Sequence, residues 1–146
     1  MAVPNASEAI PVINDLVQHK RLDLVVYTQD WHPGNHISFI NHAQDPDRKI
    51  KNHPGEVKNT TGAELDKRLK LPKGYHIVRK GYETYVDSYS AFGDNNGRRL
   101  KDLEDLLHNE GIEVVLGAGL AYDICVRHTL EDASLLRFFS GIVTDA

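Results

Sequence analysis

The sequence predicts a three-layer α/β/α fold, Rossmann-like, on a mainly parallel sheet. Short apolar or β-branched runs alternate with segments of helical spacing along the chain. Strands separated by helices imply parallel pairing with right-handed crossovers, and the helices then cover both faces of the sheet. The residues with the most chemistry follow predicted strands, which is where sites in open α/β sheets lie.

Taken in order, Asn5 and Ser7 offer capping oxygens ahead of Ile10, Ile13, Leu16 and Val17, whose three-to-four spacing predicts a helix ending near Lys20. Residues 22–28 read as a buried strand. Residues 32–61 hold Pro33, Gly34, Pro46, Pro54 and Gly55, too many breakers for regular structure, so a long loop is expected. Residues 62–70 read as a short helix and residues 75–79 as a strand. Leu100, Leu103, Leu106 and Leu107 mark a helix stopping near Gly111, and residues 113–116 a β-branched strand. Val126, Leu130, Ala133 and Leu136 give a further helical face, and residues 142–144 a final strand.

At 146 residues with 40% hydrophobic content, the chain is expected to form one domain, residues 1–146. A formal charge of −4 supplies no basic stripe for phosphates, so nucleic acid is not an expected partner. No apolar run approaches the roughly 20 residues that span a bilayer, and no membrane association is expected. Residues 1–20 lack a basic region followed by an apolar one, and the single cysteine cannot form an internal disulfide. Both fit a cytoplasmic protein.

Three segments carry the candidate chemistry. In residues 114–126 a strand runs through a small-residue turn into a helix that begins near Cys125. A lone cysteine is often a small buried hydrophobe. At a helix N-terminus, however, unpaired N–H groups and the positive dipole end favour the thiolate. In residues 27–39, Asp30 and His32 alternate at a strand end with His36 in reach, and one carboxylate with imidazoles suits zinc, manganese or iron. In residues 78–92, Lys80 ends a strand and Asp-Ser-Tyr-Ser-Ala-Phe follows from Asp87. An ammonium near Cys125 and a carboxylate would stabilise both thiolate and oxyanion.

These segments together resemble the nicotinamidase/pyrazinamidase branch of the isochorismatase-like cysteine hydrolases, over nearly the whole chain. The resemblance implies Cys125 as nucleophile, Lys80 as the catalytic lysine, a cis Leu120–Ala121 peptide, and an oxyanion hole from the backbone N–H groups of Ala121 and Cys125. It implies a divalent metal, zinc first, held by Asp30, His32 and His36, which receives the pyridine nitrogen of nicotinamide. The family's remaining histidine precedes a Gly-Ala-Glu-Leu segment, present here as Gly62 to Leu65, and His53 stands as its substitute. The implied reaction is hydrolysis of nicotinamide to nicotinate and ammonia through a cysteine thioester, in NAD salvage; a homo-oligomer is compatible with it. In the family an Asp-bearing strand and a Gly-Gly turn come first. Met1 aligns just after that turn, and relatives continue past Ala146. The resemblance thus implies a partial domain without the first strand or its general base, for which Asp123 is the nearest replacement in sequence. Two alternatives stand beside the enzyme: a catalytically impaired or silent metal-binding member, and another isochorismatase-like amidase.

Overall fold

The computed structural model describes residues 3–39 and 60–146. The fold is α/β, in the order α1 (Ala9–His19), β1 (Val26–Asp30), β2 (His76–Lys80), α2 (Lys101–Asn109), β3 (Val114–Gly117), α3 (Arg127–Leu135) and β4 (Phe139–Ile142), and all strand pairing between these elements is parallel. β1 pairs with β2 and β3 with β4, as two two-stranded sheets among the described residues. His53 lies outside the described residues.

α1 forms where its apolar spacing predicts, but its start differs. A 3-10 turn, Ala6–Glu8, precedes it, Asn5 sits in the left-handed region at φ 56°, and no side chain caps either N-terminus. Pro11 falls in the first helical turn, where a missing N–H leaves no bond unmade. Asn14 then ties the helix to the turns ahead of β2, donating to the Arg68 carbonyl at 2.9 Å and accepting from the Lys70 N–H at 2.7 Å.

The helix expected over residues 62–70 is instead a 3-10 turn, Thr61–Ala63, followed by turns. Asp66 explains the difference. Its carboxylate accepts the backbone N–H of Arg68 at 2.9 Å, closing a side-chain turn that competes with helical bonding. α2 buries Leu103 and Leu107 and ends as read near Gly111. Gly111, at φ 66°, donates to the His108 carbonyl, and Ile112 donates to Leu107, a Schellman closure that satisfies the last carbonyls. α3 closes the same way through Arg137 at φ 71°, which delivers Phe138 into the core.

The core gathers Val78, Ala91, Phe92, Leu103, Leu107, Ala133 and Phe138, with Leu24, Val26 and Val115 packed against it. It therefore joins one face of β1/β2 to α2, α3 and the loop through Ala91 and Phe92. α3 covers β3 closely: a Cβ on Gly117 would stand 2.9 Å from the Leu130 side chain. The opposite side of β3/β4 exposes Val114, Leu116 and Phe139. Asp30 and Lys80 sit at the carboxyl ends of β1 and β2, and the Cys125 turn follows the carboxyl end of β3.

Candidate active site

β1 and β2 pair with Asp30 directly opposite Lys80, so both side chains leave the sheet on the same face. Lys80 is 3% exposed and its ammonium has three donors. All three are used: Nζ lies 2.6 Å from Asp30 Oδ1, 2.7 Å from the Ser88 carbonyl and 3.5 Å from Cys125 Sγ. The structure thus brings together the predicted Lys80 and Cys125, and it places Asp30 on the lysine as their carboxylate. Asp123, in the exposed first turn after Ala121, has no described contact with Cys125 or Lys80.

Cys125 lies within a single π-helical turn, Tyr122–Val126, that leads into α3. The Leu120–Ala121 peptide is cis, as the resemblance implies. The Ala121 backbone, expected from the resemblance to supply an oxyanion-hole donor, is close enough to Cys125 to favour its thiolate. The thiol, however, does not rest ionised. Burial raises its pKa above the ordinary value; Lys80 opposes the rise, Asp30 adds to it, and the Lys80 and Ala121 hydrogen bonds oppose it further. The sequence points to the helix terminus and Lys80 as influences favouring the thiolate; burial, which only the fold reveals, acts the other way. Attack by Cys125 therefore requires that a proton be accepted.

His32 and His36 stack with ring centroids 3.7 Å apart, and Phe39 meets both edge-on. His32 Nδ1 faces the Gly81 carbonyl at 2.9 Å, and a carbonyl only accepts, so Nδ1 carries the proton and Nε2 presents a lone pair. That is how metal-binding imidazoles are usually held. His36, fully buried, is engaged at both nitrogens: Nε2 donates to the Val86 carbonyl at 3.3 Å, and Nδ1 accepts the Ser38 N–H at 3.2 Å. Burial and the adjoining His32 lower its pKa and keep it neutral. Donor atoms of His32, His36 and Asp87 lie within 4.8 Å of one another, close to the span that shared bonds of about 2.0–2.2 Å require. His32 Nε2 and the Asp87 carboxylate have lone pairs free for a divalent ion and fit one, and His36 fits once Nδ1 releases the Ser38 N–H; Asp30, expected as a ligand, lies outside this cluster because its carboxylate is taken by Lys80.

Asp87 was not singled out from sequence as a donor, although its string begins seven residues after Lys80. Its carboxylate accepts from the Ser38 hydroxyl and the Ser88 N–H, which fixes the loop carrying the Ser88 carbonyl. Gly81 is the other residue missed. At φ 74° it favours glycine, and a Cβ there would stand 2.4 Å from His32 Cε1 and 2.5 Å from Nδ1. Gly81→Ala should push the imidazole out of place and weaken zinc binding by about tenfold to a hundredfold. Competition with a chromophoric chelator measures this; unchanged affinity would remove His32 from the donor set.

The family model described as Isochorismatase domain matches residues 1–146. The nicotinamidase of Acinetobacter baylyi is 39% identical, the alignment covering 100% of this chain and 72% of the relative. That of Escherichia coli is 34% identical, covering 99% and 73% respectively. Among solved structures, PnC1 from L. infantum in complex with nicotinate superposes with a TM-score of 0.85 at 34% identity, covering 98% of this chain and 69% of that one. The pyrazinamidase of Pyrococcus horikoshii in complex with zinc gives 0.76 at 33% identity, covering 99% and 74%.

Proposed function

This chain belongs to the isochorismatase domain family, and from that premise we propose that it is a nicotinamidase, hydrolysing the carboxamide of nicotinamide to nicotinate and ammonia in NAD salvage. The observation that carries the reading is Lys80, whose buried ammonium joins Asp30 to the Cys125 thiol at the carboxyl ends of parallel strands.

Sγ adds to the amide carbon as the thiol gives up its proton, for which Asp30 is the acceptor that the described residues offer beside Lys80. The developing oxyanion meets the Ala121 and Cys125 N–H groups, donors fixed before the charge appears. The C–N bond then breaks, the nitrogen takes up the proton and leaves as ammonia, and a nicotinoyl thioester remains on Cys125. Water adds to the thioester, nicotinate leaves, and the thiol is restored. We assign a divalent metal, zinc first, to His32 with Asp87 beside it, His36 joining once its Nδ1 is released from the Ser38 N–H, and His53 as a further donor; Asp30, held on Lys80, is kept for the proton. When bound, such an ion supplies a Lewis-acidic seat for the ring nitrogen. Among the described residues no helix is long and apolar enough to cross a membrane, and a thiol that must stay free suits the reducing cytoplasm, where we place the protein.

The test is ammonia and nicotinate release from nicotinamide, with benzamide, which lacks the ring nitrogen, as comparison and the Cys125→Ala protein as blank. Release above the blank with a preference for nicotinamide is expected. No release above the blank would overturn the assignment, and equal rates on benzamide would overturn the seat for the ring nitrogen.

A further inference from the structure

We propose that Thr129 is a positioning residue for the proposed reaction: its hydroxyl holds the nucleophile turn at a fixed distance from the loop that seats Lys80. Thr129 lies on α3, one turn beyond Cys125, and both described hydrogen bonds of its hydroxyl go to backbone atoms. Its Oγ1 donates to the Cys125 carbonyl at 2.7 Å and accepts the Ala91 N–H at 3.1 Å. Ala91 is fully buried, three residues beyond Ser88, whose carbonyl receives Lys80 Nζ at 2.7 Å. Lys80 Nζ completes the ring at 3.5 Å from Cys125 Sγ. Thus the sulfur and the nitrogen are joined by two paths. One is their direct contact, which is long and weakly directional; the other runs from Ser88 along the chain to Ala91 and through Thr129 to Cys125.

The second path restrains the first. A threonine bonding back to the carbonyl four residues earlier is common and by itself only local. Here the same oxygen also accepts from another element, so its two bonds fix α3 to the Ser88–Phe92 loop at the level of the nucleophile. The π-helical turn around Cys125 lacks regular α-helical bonding, and an outside restraint there has a direct effect on where Sγ points. Misplacement by about 1 Å can cost a hundredfold in rate.

The experiment compares Thr129→Val, which keeps the shape and loses the hydroxyl, with Thr129→Ser, which keeps the hydroxyl and loses the methyl. Two readouts are taken on proteins with wild-type circular dichroism: kcat and KM for ammonia release, and the rate of Cys125 alkylation by iodoacetamide. In the valine protein kcat should fall about tenfold or more with KM little changed. Alkylation should slow by up to about tenfold as the thiol moves away from the ammonium. Serine should restore both. Equal behaviour of the two variants, whether both active or both impaired, would overturn the proposal, because the hydroxyl would not be the agent. If the valine protein does not fold, the serine protein decides: rates near wild type support the proposal and a large loss overturns it. The inference rests on the nicotinamidase reading only for its first readout. A wild-type chain that alkylates without hydrolysing nicotinamide would sink that reading and leave the alkylation contrast to judge Thr129.

Discussion

Replacement of Cys125 by serine should lower kcat for ammonia release from nicotinamide on the order of 10⁴-fold or more, while leaving the thermal melting point nearly unchanged. The substituted oxygen occupies almost the same volume in a half-buried position, so packing offers little reason for instability. Chemistry offers a large reason for inactivity. Burial already holds the thiol in its neutral form despite Lys80 at 3.5 Å, and an alcohol is a much weaker acid in the same surroundings. The proposed proton transfer to the Asp30 carboxylate therefore becomes far less favourable from serine than from cysteine. A loss smaller than about tenfold would show that sulfur is not the attacking atom.

Lys80→Met should lower kcat by about 10²- to 10³-fold, the size expected when a preorganised charge is removed from beside a developing oxyanion. Methionine fills the space of the lysine stem. What remains is a carboxylate and a carbonyl facing an apolar side chain, since Asp30 Oδ1 and the Ser88 carbonyl both lose their donor. Breaking a buried ion pair costs about 3–5 kcal/mol, and the lower end applies here because Asp30 is 34% exposed and can rehydrate. The pH profile separates catalysis from folding. The thiolate is the alkylated form; the ammonium favours it, whereas burial and Asp30 favour the thiol. Removing the ammonium therefore raises the pH midpoint of Cys125 alkylation, and Asp30→Asn lowers it. A midpoint that stays put in Lys80→Met would mean that the ammonium does not act on the thiol at all.

What was legible in the sequence follows from how local each signal is. The helix through Leu103 and Leu107 and its stop at Gly111 rest on periodicity and on one residue with access to positive φ, and both appear where expected. Strand edges depended on partners that spacing does not reveal. The apolar run from Leu22 is regular, but the ladder begins only at Val26, opposite His76. β4 begins at Phe139 rather than 142, because the positive φ at Arg137 ends α3 and the chain is extended two residues later. Motif recognition brought Lys80 and Cys125 to one place. It did not show that Asp30 faces Lys80, that Asp87 joins the two histidines, or that Thr129 links the nucleophile turn to Ala91, because each is a contact across more than thirty residues of chain.

The register of β1 on β2 makes the two faces of that ribbon carry different cross-strand pairs. Asp30 and Lys80 meet on one face; Gln29 and Arg79 meet on the other, where the Arg79 guanidinium bonds Gln29 at 3.1 Å and lies 3.6 Å over the Trp31 ring. Side chains alternate strictly, so a slip of one residue in either strand sets a carboxylate or an ammonium against the wrong partner and turns one of them out of the interior. A misregistered chain thus forfeits the buried charge pair and the nucleophile's neighbour in the same step. Chains that have folded in the wrong alignment are consequently inert as well as unstable, and the measured activity of a preparation becomes a count of its correctly zippered molecules.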